Sequence, residues 1–122
     1  MTRRHIIQWS ATATDQLRAL PKDAARGLYK QADRLAEVDD PRTCCKPLAG
    51  PLSGFFRIRH SRYRAIFDVT EETLASGDTL VRYKIRFIAA GKREERSKAD
   101  VYRLAEKLVA MGVIKPQERE DE

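Results

Sequence analysis

The chain has 122 residues, the size of one ordinary domain with one core. Hydrophobic residues make up 42% of it and charged residues 34%, which suits a soluble globular protein and excludes a membrane-embedded one. The formal net charge of +6 favours a polyanionic partner, although charge says nothing about fold.

No segment of the sequence is suited to crossing a membrane. No apolar run approaches the roughly 20 residues that span a bilayer. Residues 1–4 lead directly into a strand-like segment, with no apolar signal region. We therefore expect a cytoplasmic protein with no membrane partner. One domain is predicted over residues 1–116, followed by a frayed acidic tail over residues 117–122.

The first third of the chain predicts one strand and two helices. Residues 3–9 carry β-branched and aromatic side chains, which are typical of a strand. Thr12, with Asp15 three residues later, resembles the start of a helix, and this helix ends just before Pro21. Alanine and leucine recur at helical spacing over residues 22–38. The two helices are predicted to form a hairpin with one apolar face.

The rest of the chain predicts three strands and a last helix. A loop rich in proline and glycine precedes a strand over residues 55–60, and a tight connection leads into a second strand over 63–70. Residues 80–90 alternate apolar and basic side chains, the clearest strand pattern in the chain. Ser97 is predicted to cap a helix that runs to Met111.

The predicted order of elements is β-α-α-β-β-β-α, which indicates an α+β fold. Its helices are expected on one face of a mostly antiparallel sheet, with the other face partly open. The positive charge is concentrated in two stretches, residues 42–64 and residues 82–98. No acidic residue occurs between Asp40 and Asp68, where six basic residues fall.

The cysteines and histidines do not predict a metal or cofactor site. Cys44 and Cys45 are adjacent and could pair only through a strained ring, so we expect reduced thiols with a structural role. Together with His5 and His60 they show none of the paired spacings that zinc sites use. No metal and no cofactor are therefore expected.

Two segments resemble a known family. Residues 46–69, KPLAGPLSGFFRIRHSRYRAIFDV, are similar to the signature of RelE/ParE toxins: K-x-L-x-G, an aromatic-R-I-R strand, then Y-R and an apolar strand. Residues 90–93 and 101–102 resemble the closing G-K-R and V-Y elements of the family. The resemblance, with the RelE-like branch favoured, implies a curved sheet clasped by an N-terminal helical hairpin. It also implies a cognate antitoxin that folds across the toxin surface.

The resemblance also implies a set of site residues. Members that cleave RNA use the ribose 2′-hydroxyl to attack the adjacent phosphate, which requires charge neutralisation and proton transfer. Arginine meets the first need, because its planar fork binds phosphate oxygens in pairs and stays charged. By resemblance, the catalytic candidates are Arg64, Arg93 and Tyr102. The RNA-binding candidates are Arg57, Arg59, Lys92 and Arg96.

Each of these assignments has an alternative. Arg57 and Arg59 could belong to a solvated strand face, and Tyr102 could simply pack on the last helix. The segment between the G-K-R and V-Y elements is longer than usual in the family, so Arg96 could take the place of Arg93. His60 could act as a general base, but it shares a strand face with apolar residues, where a hydrogen-bonded structural histidine is commoner.

The sequence supports three functional hypotheses. The leading one is a metal-independent messenger RNA endoribonuclease that acts on ribosome-bound message, inhibits translation and arrests growth. The alternative is a ParE-like inhibitor of DNA gyrase that does not cut RNA, since one fold hosts both activities. A third is an inactive module that only binds its antitoxin. Convergence of Tyr102 and the arginines on one phosphate-sized site would favour the nuclease.

Overall fold

The computed structural model describes residues 5–73, 81–94, 97 and 100–112. Within them the chain forms five strands, three α-helices and one 3-10 turn. In chain order these are β1 (Ile6–Trp9), α1 (Ala11–Arg18), α2 (Lys22–Leu35), β2 (Lys46–Pro47), a 3-10 turn (Gly50–Leu52), β3 (Phe56–His60), β4 (Tyr63–Thr73), β5 (Val81–Lys92) and α3 (Val101–Ala110).

The strands form one open sheet in the order β1-β5-β4-β3-β2. β1 pairs with β5 in parallel, and the other three pairs are antiparallel. The predicted α+β class and mostly antiparallel sheet are therefore confirmed. The order of elements differs in detail, because β2 and the 3-10 turn were not predicted. Elements of two and three residues are too short to produce a periodic pattern.

Several predicted boundaries move, mainly because a different side chain caps the helix. Ser10, and not Thr12, caps α1, since the Ser10 Oγ accepts a hydrogen bond from the Ala13 amide at 3.0 Å. Asp100, and not Ser97, caps α3. α2 ends at Leu35, three residues before the predicted end. Gly112, with φ of 72°, lies just beyond the end of α3, as predicted.

A β-bulge gives the sheet its two differently packed faces. Ile66 pairs with Ala89 while the next residue, Phe67, pairs with Phe87, so Ile88 is an extra residue in β5. Consecutive residues of a strand point to opposite faces. Phe67 and Phe87 pack in the hairpin-side core, which comprises Leu17, Leu28, Ala32, Leu35, Ile58, Ala65, Phe67, Ile85, Phe87 and Ala90.

The other face carries the last helix. Its α3-side core comprises Leu52, Phe55, Ile66, Ile88, Ala89, Val101 and Ala105. The N-terminal hairpin packs on the sheet as predicted, but the expectation that the helices share one face is wrong. α3 covers the opposite face, because the bulge places Ile88 and Ala89 together on that side and enlarges its apolar surface.

Buried polar groups tie the ends of the elements together. The Nδ1 atom of His5 accepts a hydrogen bond from the Tyr83 amide at 3.1 Å, so its Nε2 atom carries the proton that meets the Val38 carbonyl at 2.5 Å. Asp68 is buried and binds Arg86 through both carboxylate oxygens, at 3.2 and 2.7 Å.

None of the helices in the described ranges is long and apolar enough to cross a membrane. The predicted tail over residues 117–122 lies outside those ranges.

Candidate functional site

The register of the sheet places the predicted arginines of β3 and β4 on the face that carries α3. Arg57 pairs with Ile66, a member of the α3-side core, and Arg59 pairs with Arg64. Paired residues on neighbouring strands project from the same face. All three arginines therefore lie on the α3 face, near the end of the sheet where β3 turns into β4.

Arg64 is held deep in this face. Arg64 is only 7% exposed, and its Nη1 atom donates to the carbonyl oxygens of Ser61 at 2.8 Å and Tyr63 at 3.0 Å. Its Nε atom is buried without a hydrogen-bond partner, which is uncommon in native structures. The guanidinium is thus fixed in orientation by the carbonyls of the β3–β4 turn.

Some neighbours of Arg64 lower its pKa, and another raises it. Burial lowers the pKa of Arg64, and the nearby charges of Arg57 and Arg93 lower it further. The Tyr102 side chain opposes this by attracting and hydrogen-bonding the guanidinium. An arginine remains charged at neutral pH in spite of such a shift. Three arginines and one tyrosine are therefore close enough to interact electrostatically.

Arg93, which follows the last residue of β5, lies beside Tyr102 in the first turn of α3. The Arg93 amide donates to the Arg62 carbonyl at 2.8 Å, and the Cζ atom of Arg93 lies 5.6 Å from the centroid of the Tyr102 ring. This distance is within the range of a cation–π contact. Tyr102 also packs against the α3-side core. The Tyr102 ring therefore packs against the α3-side core, and its side chain also interacts with Arg64 and Arg93.

A surface cavity of about 420 Å³ lies beside this group. Its walls are strongly basic, and residues of the β3–β4 turn and the end of β5 form them: Ser61, Arg62, Arg64, Lys92, Arg93 and Glu94. Three of these, Ser61, Arg62 and Glu94, were not predicted as site residues. Arg62 lies in the acid-free stretch of the sequence, which was a signal for it, whereas Glu94 directly follows the G-K-R element and had none.

The remaining predicted residues are placed differently. Arg59 is exposed on the same face, opposite Arg64. Arg96 lies outside the described residues. His60 lies on the other face, where its ring packs against the backbone of Gly27 in α2. Phe55, which directly precedes β3, is fully buried in the α3-side core.

The described residues contain no group of three or more His, Cys, Asp or Glu side chains that could hold a metal ion. Cys44 and Cys45 are free thiols, with their sulfur atoms 3.8 Å apart. Burial, with a smaller contribution from Cys44, raises the pKa of the Cys45 thiol to about 12. Cys45 therefore behaves as a packing residue beside the hairpin-side core.

A helical hairpin thus packs on one face of an open, mostly antiparallel sheet, and a last helix packs on the other face. This fold is also found in the crystal structure of the toxin-antitoxin complex RelBE2 (Rv2865-2866) from Mycobacterium tuberculosis. The two chains align with a TM-score of 0.54 and 21% sequence identity, over 74% of this chain and 92% of that chain. At this identity the likeness concerns the fold, which toxins of different activity share. Comparison of the sequence with protein-family models and with curated proteins gives no match.

Proposed function

We propose that the protein is the toxin of a type II toxin-antitoxin pair and cleaves messenger RNA without a metal ion. The observation that carries this proposal is the convergence of Arg57, Arg93 and Tyr102 on Arg64, beside one basic cavity. A phosphodiester is a suitable ligand for such a cavity, because guanidinium groups bind phosphate oxygens in pairs. An inhibitor that acts only by binding another protein has no need for this convergence.

The reaction is an internal transfer within the RNA chain. The ribose 2′-oxygen attacks the neighbouring phosphorus, a new O2′–P bond forms, and the P–O5′ bond breaks. The products are a 2′,3′-cyclic phosphate and a free 5′-hydroxyl. Negative charge accumulates on the non-bridging oxygens in the transition state, where fixed positive groups are most effective. Arg64 and Arg93 supply this charge, and Lys92, Arg57, Arg59 and Arg96 bind the flanking RNA.

The reaction also needs groups that accept and return a proton. Arginine is a poor base at neutral pH, and His60 is separated from the cavity by the sheet. Tyr102 is the group we assign to proton transfer, because its side chain interacts with both Arg64 and Arg93. Glu94, which lines the cavity, is a further titratable group on the same side of the sheet.

We further propose that cleavage takes place on the ribosome and that a cognate antitoxin restrains it in the cytoplasm. The cavity lies at the surface, and the described residues that line it carry many charges but include no histidine–glutamate pair. Contacts with the ribosome would therefore help to orient the substrate. Full activity on naked RNA would contradict this dependence. The likeness to a chain of a toxin-antitoxin complex supports the antitoxin partner.

Induced expression in growing cells tests the proposal, with RNA ends mapped within minutes. The wild type is expected to produce new cuts inside translated frames, and Arg93→Ala and Arg64→Ala are expected to remove them. Arg93 is exposed, so its loss spares the fold even if the loss of buried Arg64 does not. Arg18→Ala, the same charge change on α1, is the control and should still cut.

Two other outcomes would replace the proposal. Growth that stops while messages stay intact would favour the ParE-like gyrase inhibitor. Expression of the wild type with no growth defect would favour a module that only binds its antitoxin.

A further inference from the structure

Asp100 is a buried carboxylate to which the proposed reaction gives no part. The residue is 7% exposed. Its Oδ1 atom accepts a hydrogen bond from the Glu94 amide at 2.6 Å, and its Oδ2 atom accepts one from the Tyr102 amide at 3.1 Å. Hydrogen bonds to an ionised carboxylate are among the stronger ones in proteins. The Asp100 side chain thus links Glu94, which follows Arg93, to Tyr102, the proposed proton-transfer residue.

The backbone around this contact is also tied. The Ser97 amide donates to the Glu94 carbonyl at 3.0 Å, and the Asp100 amide donates to the Ser97 carbonyl at 3.2 Å. On the other side, the Arg93 amide donates to the Arg62 carbonyl at 2.8 Å. Arg93 therefore lies between two anchors, one on the β3–β4 turn and one, through Glu94, on Asp100.

We propose that Asp100 is a positioning residue that sets the separation of Arg93 and Tyr102 for RNA cleavage. The effect on RNA cleavage rests on the proposed function. The claim that Asp100 fixes the separation of Arg93 and Tyr102 rests on the hydrogen bonds alone. Asp100 is the side chain that hydrogen-bonds both Glu94 and Tyr102, whereas the other hydrogen bonds named here between the end of β5 and the start of α3 run through the backbone of Ser97. A displacement of about 1 Å between catalytic groups can reduce a rate by about 10²-fold.

Asp100 also caps α3, and the experiment has to separate that structural role from positioning. Asp100→Ser does so, because serine is a good helix cap but its single, shorter oxygen cannot serve both amides. Ser10→Ala is the matched control, since it removes the corresponding side-chain cap from α1. Both variants and the wild type are compared in cleavage of ribosome-bound message and in thermal unfolding.

Asp100→Ser is expected to unfold close to the wild type and to lose about tenfold or more in kcat, with KM changed less than about threefold. Ser10→Ala is expected to lose stability and to keep the wild-type kcat. A wild-type kcat in Asp100→Ser would overturn the proposal, and so would an equal loss of kcat in Ser10→Ala.

An NMR measurement without RNA tests whether Asp100 holds Arg93 beside Tyr102. The ring current of Tyr102 shifts the NMR signals of the Arg93 guanidinium, and Tyr102→Leu identifies that shift. The shift is expected to persist in Ser10→Ala and to disappear in Asp100→Ser; its persistence in Asp100→Ser would overturn the positioning role. If the wild type does not cleave RNA, the proposed function fails, and the NMR result alone then supports or overturns the tie between Arg93 and Tyr102.

Discussion

The imidazole ring of His60 occupies the space beside the backbone of Gly27, where a β-carbon would lie 2.4 Å from the ring atoms. Glycine in the middle of a helix costs about 1 kcal/mol relative to alanine. α2 contains one at this position because any side chain there would displace the ring. The contact holds His60 on the hairpin side of the sheet, away from the arginines of the α3 face.

Gly27→Ala is expected to lower the free energy of unfolding by about 1–3 kcal/mol, because the added methyl group overlaps the His60 ring. Urea denaturation of the variant measures this loss. In a His60→Ala background the same substitution is expected to raise the free energy of unfolding by up to about 1 kcal/mol, since alanine is the better helix former. An equal effect in both backgrounds would show that the contact is unimportant.

Tyr102→Phe removes the hydroxyl group and keeps the ring beside Arg93. We expect kcat for RNA cleavage to fall about 10²-fold or more, which is the usual contribution of a proton-transfer group. His60→Gln is expected to leave kcat within about threefold, because the sheet separates His60 from the cavity. Circular dichroism checks that both variants are folded. The opposite ranking of the two variants would move the proton-transfer role from Tyr102 to His60.

The Asp40–Arg42 pair predicts part of the acid sensitivity of the fold. Two hydrogen bonds of 3.0 Å from Arg42 are the main cause that lowers the pKa of Asp40. Because the folded pKa lies below the unfolded value of about 3.9, the pair stabilises the fold above that pH. This stabilisation is lost as the pH falls through the folded pKa. The Asp40 side chain is 27% exposed, so the effect is about 0.5–1 kcal/mol.

Asp40→Asn should therefore be less stable than the wild type at pH 7 and should lose less stability between about pH 5 and pH 2. Denaturant unfolding at a series of pH values measures both effects. Asp39→Asn, the same change at an exposed neighbour, is the matched control. Parallel pH profiles for the wild type and Asp40→Asn would show that the pair makes no contribution.

The two adjacent thiols are expected to react at very different rates. Cys44 is exposed, whereas burial is the main cause that raises the pKa of Cys45 to about 12. At pH 8 Cys45 is therefore almost entirely in the unreactive thiol form. Mass spectrometry of iodoacetamide-treated protein should find rapid modification of one site, and Cys44→Ser should abolish that rapid phase. Fast modification of Cys44→Ser would contradict the raised pKa of the half-buried Cys45.

Local patterns in the sequence were sufficient to predict the main strands and helices. The alternation over residues 80–90 predicted which face of β5 is buried, because a strand has a period of two that needs no knowledge of its neighbours. The bulge at Ile88 interrupts this pattern and could not be predicted, since it depends on the register against β4. The true helix caps were also missed, because several polar residues near each start could accept the same hydrogen bond.

The sequence by itself determined the α+β class, the two basic stretches and the residue types of the candidate site. The distances among those residues depend on strand register, on the face that α3 covers and on the link that Asp100 makes between β5 and α3. Contacts between residues far apart in the chain carry no local periodic signal. Only the tertiary structure therefore decided that Arg57, Arg64, Arg93 and Tyr102 meet on one face, while His60 lies on the other.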